Sequence, residues 1–164
     1  MSFSLHPEYV ISKLSLLTPD MLKKIGAELL ILDLDNTVSP YDEASPNPQV
    51  LLWTEKMKRG GIKLYIVSNS KKIRPDIFAQ AMDVPMIKYA RKPSPKMILR
   101  AIKESGAAPE NTVLAGDQIF TDVLGANLAG IKSILVEPIK FTNPFLALRY
   151  YVETPFRKKY KNKL

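Results

Sequence analysis

Six polar residues of this chain stand at intervals that chemistry could use. Asp33 and Asp35 close the apolar run in LILDLDNT, Ser68 follows IKLYIV, Lys92 lies in ARKPSPK, and Asp117 and Asp122 frame GDQIFTD. Singly, each has an ordinary structural explanation: Asp and Asn favour turns, Ser caps locally, Lys is seldom buried, and Asp suits a first helical turn. Together they are an acid pair, a hydroxyl, an ammonium and a second acid pair, in that order. Such a set suits phosphoryl transfer, which asks mainly for positioning and for stabilisation of negative charge.

Composition narrows what else the chain can do. With 46% hydrophobic and 24% charged residues it reads as one soluble globular domain over residues 1–164, neither disordered nor fibrous. No apolar run approaches the ~18 residues of a membrane span. The opening MSFSLHPEY lacks the cationic and apolar parts of a secretory leader, so the expected location is cytoplasmic. There is no cysteine, which excludes disulfides and thiolate chemistry, and the lone His6 cannot build a histidine metal cluster. Any catalysis therefore rests on carboxylates, hydroxyls and lysines. The net charge of +8 points to an anionic partner: a phosphorylated substrate, an acidic lipid or nucleic acid.

The elements that must position these residues follow from period and punctuation. Residues 28–33 (ELLILD) are too continuously apolar for a half-exposed strand, as in a parallel sheet covered on both faces. Asn47 and Pro48 open a helix that Gly60 and Gly61 stop; 62–67 is a strand, 72–82 a helix and 84–89 a strand. Ser94 and Pro95 start a helix closed by Gly106, 112–115 (TVLA) is a strand, 120–128 a short helix and 132–136 (KSILV) the fifth strand. The expectation is a three-layer, doubly wound, Rossmann-like α/β fold around a mostly parallel five-stranded sheet. It carries an N-terminal extension over 1–27 and a basic aromatic segment over 141–164. In such sheets ligands bind beyond the carboxyl ends of the strands, where Asp33, Ser68 and Asp117 fall.

DLDNT, SN, KP and GDQIFTD, in that order, resemble the four motifs of the haloacid dehalogenase (HAD) superfamily, and ILDLDNT with GDQIFTD resembles the YqeG family of its subfamily IIIA phosphatases. The resemblance implies that Asp33 is a nucleophile forming an aspartyl-phosphate and Asp35 a general acid/base. It implies Mg²⁺ held by Asp33, the Asp35 backbone carbonyl and Asp117. Ser68, Asn69 and Lys92 would then bind phosphate, and Thr37, Gly116 and Asp122 support them from behind. Between Asp33 and Ser68, and between Ser68 and Lys92, there is room for one helix and its loops, so the fold is expected to be capless.

By the same resemblance, capless members act on large or surface-bound substrates or borrow a lid from an oligomeric partner. The YqeG family is similar to phosphatases that convert phosphatidylglycerophosphate to phosphatidylglycerol. A phosphomonoester substrate on a lipid head group is therefore expected, with peripheral contact to an anionic membrane's inner face through 141–164. That segment equally suits a helix that packs its aromatics on the core. Alternatives are a capless phosphatase of soluble nucleotides or phosphoproteins, a receiver-like regulatory module and a binding scaffold. Nothing resembles a base-reading module, so no nucleic-acid partner is expected.

Overall fold

The computed structural model describes residues 3–140 and 144–158; the predicted basic aromatic segment thus lies partly outside the described residues. Strands and helices alternate in chain order as β1 (Tyr9–Ile11), α1 (Pro19–Lys24), β2 (Leu29–Leu32), α2 (Pro48–Arg59), β3 (Lys63–Val67), α3 (Arg74–Met82) and β4 (Met86–Ile87). They continue with α4 (Lys96–Ser105), β5 (Thr112–Gly116), α5 (Leu124–Ala129), β6 (Lys132–Val136) and α6 (Pro144–Lys158). A π-helical turn, Ile119–Val123, leads into α5.

All six strands are parallel, in the order β1-β6-β5-β2-β3-β4. Five were expected. The sixth is β1, from the stretch read as an extension: Tyr9, Val10 and Ile11 pair with Ile134, Leu135 and Val136 at the sheet edge. The chain runs outward from β2 through β3 to β4, returns to β5 on the other side of β2, and continues outward to β6. The crevice where it changes direction lies between the ends of β2 and β5, the place where open α/β sheets bind ligands.

Local chemistry explains most boundaries. Asn47 Oδ1 accepts from the Val50 amide at 3.0 Å and caps α2, with Pro48 in its first turn. Ser94, expected to cap α4, instead belongs to the preceding turn, its amide donating to the Arg91 carbonyl at 3.0 Å, and α4 starts at Lys96 without a side-chain cap. The fourth strand is only two residues long because Tyr89 and Arg91 adopt left-handed conformations (φ 56° and 57°) that end extended backbone.

Alternate β2 side chains serve the two faces of the sheet. Leu30 and Leu32 join Trp53, Met57, Phe78 and Met82 of α2 and α3, while Leu29 and Ile31 join Ile98, Ala101, Ala126 and Ala129 of α4 and α5. The first core also takes Ile11, Leu14, Leu17 and Leu22 from the N-terminal stretch, and the Trp53 indole N–H donates to the Leu17 carbonyl at 3.0 Å. Full burial of each such Leu, Ile or Phe contributes ~1.5–3 kcal/mol. Stability therefore resides in the two faces, which leaves the strand ends able to carry charges that cost it.

Candidate active site

Asp33 directly follows β2, and its amide extends the ladder by donating to the Ala115 carbonyl at 2.9 Å. Asp117 directly follows β5, so the two carboxylates emerge side by side. Both are buried, as are Asp122, Lys92, Ser68 and Thr37. Lys92 Nζ lies 2.6 Å from Asp33 Oδ1 and 2.7 Å from Asp122 Oδ1. The Thr37 hydroxyl stands 3.4 Å from Asp33 Oδ2 and 3.3 Å from Asp117 Oδ1; with one proton, it donates to one of them at a time.

Each of these positions is held by main-chain bonds. Asn69 clasps the Lys92 backbone from both sides: Oδ1 accepts its amide proton at 2.7 Å and Nδ2 donates to its carbonyl at 3.1 Å. The Ser68 hydroxyl oxygen accepts from the Ser70 amide at 3.0 Å. Asp122 Oδ2 accepts from the Gln118 amide at 3.1 Å. Gly116 is required here, since a Cβ at that position would stand 2.3 Å from Asp122 Cγ.

Burial pushes the Asp33 carboxyl up to about 7, opposed by Lys92 and reinforced by Asp122. Burial likewise raises Asp117 well above the carboxylate range, with Asp33 and Asp122 adding and Arg157 opposing. Desolvation works to lower the Lys92 ammonium, but Asp122 and Asp33 outweigh it and the pKa is raised. One oxygen from each of Asp33, Asp117 and Asp122 lies within 4.8 Å of the others. When ionised, these three carboxylates face a single ammonium. The excess of buried negative charge and the all-oxygen donor set fit a hard divalent cation. The Asp35 carbonyl takes no hydrogen bond from the described residues, which leaves it available as a further donor.

Two residues of this neighbourhood escape a sequence reading. Arg74, the first residue of α3, is buried and ion-paired with Asp35; it also donates to the carbonyls of Glu43 at 2.6 Å, Pro40 at 2.7 Å and Ser39 at 3.3 Å. Its guanidinium lies 4.5 Å from the centre of the Phe78 ring. The available signal was electrostatic: a cation in a first helical turn opposes the helix dipole, so its place must be explained by partners elsewhere. Tyr41, in the loop after β2, is the other. Although Tyr41 is 38% exposed, partial burial, aided by Asp35, Asp33 and Asp117, pushes its hydroxyl up to about 12.

An open parallel sheet whose switch point gathers acids, a hydroxyl and a lysine has the make-up of a phosphoryl-transfer site. A HAD-hydrolase-like family model matches residues 89–143. "Probable phosphatase YqeG" of Bacillus subtilis is 37% identical over 140 residues, 85% of this chain and 81% of that protein. The cobalt-bound deoxy-D-mannose-octulosonate 8-phosphate phosphatase of Haemophilus influenzae superposes with a TM-score of 0.56 at 13% identity, covering 83% of this chain and 92% of the other. The Moraxella catarrhalis 3-deoxy-D-manno-octulosonate 8-phosphate phosphatase, solved with magnesium and phosphate ions, gives 0.50 at 18% identity, covering 61% and 63%. The chain belongs to the YqeG family of HAD phosphatases.

Proposed function

We propose that this phosphatase, acting as one HAD-like domain over residues 1–164, is Mg²⁺-dependent, works through an aspartyl-phosphate on Asp33, and takes phosphatidylglycerophosphate at a membrane surface. The observation that carries the chemistry is the placement of Asp33 at the switch point, between the Lys92 ammonium and Asp117. Asp33 attacks phosphorus in line, forming the acyl phosphate as the ester P–O bond breaks, and Asp35 gives its proton to the departing alkoxide. Asp35 then takes a proton from the water that cleaves the acyl phosphate, releasing inorganic phosphate and restoring Asp33. Ser68 and Lys92 bind the phosphoryl oxygens where charge is greatest, and Asn69 completes that subsite by fixing the Lys92 backbone.

Asp33, the Asp35 carbonyl and Asp117 would hold Mg²⁺, which when bound offsets the repulsion between carboxylate and phosphate. Two of the solved relatives hold divalent metals, which supports this. Thr37 bridges the two metal carboxylates, while Gly116 gives Asp122 the room to hold Lys92.

Three observations support a lipid head group on the inner face of the membrane. Single helices fill both intervals where a cap would be inserted, so no inserted cap domain stands between the site and a large surface. Helix α6 exposes Leu148, Tyr151 and Val152 on one side, at the spacing of one helical face. The net charge is +8, and no described helix is long and apolar enough to cross a membrane. The deciding assay is Mg²⁺-dependent phosphate release from phosphatidylglycerophosphate in mixed micelles, beside a panel of soluble phosphoesters, with Asp33→Asn as blank. Preference for the lipid supports the proposal; activity confined to soluble esters keeps the chemistry and discards the membrane.

A further inference from the structure

Helix α6 lies outside the matched family region, yet it grips the loop that carries both Asp117 and Asp122. Arg157 Nη2 donates to the Asp117 main-chain carbonyl and stands 3.1 Å from Glu153 Oε2. Glu153 Oε1 in turn accepts from the Phe120 amide at 3.1 Å. The Phe156 ring meets Phe120 edge-on at 6.1 Å, and the Arg157 guanidinium lies 4.6 Å from the centre of the Tyr150 ring. The loop is thus held at its start through Asp117 and in its middle through Phe120.

Glu153 is 1% exposed and Arg157 9%. A buried ion pair of this kind is weak evidence of stability, because desolvation offsets most of its attraction. Here the hydrogen bonds that reach beyond the pair go to the main chain of the metal loop. Arg157 also places a positive charge beside Asp117, opposing the effect of burial on that carboxyl.

We propose that Arg157, paired with Glu153, is a positioning residue for the metal-binding half of the site, so that docking of α6 and binding of the divalent cation are coupled. The inference rests on the metal-dependent reading above. Coupling is reciprocal: α6 raises metal affinity by the factor by which the metal favours α6 docking. Partners behind metal ligands typically alter affinity 10- to 100-fold.

The test titrates Mg²⁺ alone into the full chain by calorimetry, comparing wild type, Arg157→Met and Arg157→Lys, with melting curves taken without metal. The expected result is affinity reduced about tenfold or more in Arg157→Met and partly restored by the conservative Arg157→Lys. Hydrogen exchange supplies the reverse reading: Mg²⁺ slows amide exchange across residues 144–158 of the wild-type chain. Wild-type metal affinity in a folded Arg157→Met, or α6 exchange indifferent to Mg²⁺, overturns the coupling while leaving the phosphatase reading intact. Should Arg157→Met fail to fold, wild-type exchange alone decides. A wild-type chain that binds no Mg²⁺ overturns the metal-dependent reading and this inference together.

Discussion

The guanidinium of Arg74 is paired with the carboxylate of Asp35, 39 positions away in the chain. Burial raises the Asp35 pKa and Arg74 is the strongest force lowering it. Removing the cation by Arg74→Met raises that pKa further. In the proposed mechanism Asp35 gives a proton in the first step and takes one in the second, so the limbs of the pH–rate profile that it sets, the acidic one included, should move to higher pH. General acid/base catalysis contributes ~10²–10⁴-fold, and mispositioning Asp35 should cost at least about tenfold in kcat. An unmoved acidic limb with wild-type kcat contradicts the role.

The Asp33 carboxyl titrates near 7 in the folded chain against an ordinary 3.8. Its folded pKa is raised, so the associated stability is fully present below the ordinary value and is lost as pH rises through about 7. A bound cation favours the ionised form and reverses this trend. Mg²⁺ should therefore raise Tm more at pH 8 than at pH 6, and its binding should release protons, measurable by calorimetry in two buffers of different ionisation enthalpy. Equal Tm shifts and no proton release would refute the assignment of Asp33 as a ligand.

Asp33→Asn removes the oxygen proposed to attack phosphorus while nearly preserving shape. Turnover should disappear, yet the metal-free variant should melt at or above the wild type at pH 8, because an ionised Asp33 opposes folding there. Lys92 keeps Asp122 as its partner. Loss of activity accompanied by a large drop in Tm would mean that Asp33 is mainly structural.

Gly116→Ala forces a methyl against the Asp122 side chain, 2.3–2.5 Å from three of its atoms. Overpacking of this sort costs about 1–3 kcal/mol, and displacing Asp122 frees Lys92. Both Tm and kcat should fall. The double variant Gly116→Ala/Asp122→Ala should recover Tm relative to Gly116→Ala but not kcat, a non-additivity that thermal melts and kinetics resolve.

How much of this was legible in the sequence depended on sequence distance. The carboxyl end of β3, the Asn47 cap and the Gly60 stop are set by neighbouring residues, and the structure has them. The acids at the ends of β2 and β5 could be placed because a strand's last residue and the sheet's parallel order suffice to bring them together. β1 could not: three residues, YVI, carry no period, and their partners lie 125 positions away. Arg74 and Arg157 read as ordinary basic residues at helix ends, because the groups that bury them, Asp35 and the Asp117 carbonyl, come from other elements. Ser94 misled because Ser-Pro is a common helix opening, whereas here a preceding turn claims the serine.

The pairing of β1 with β6 also sets an order of events on the ribosome. Tyr9 leaves the exit tunnel well before Ile134, its partner in the sheet. At ~5–20 residues per second, the amino-terminal strand waits roughly 6–25 s for its place. For that interval the growing chain carries an apolar strand with nothing to pair with. Sheet assembly is then completed when β1 joins β6, the last strand of the sheet to be synthesised.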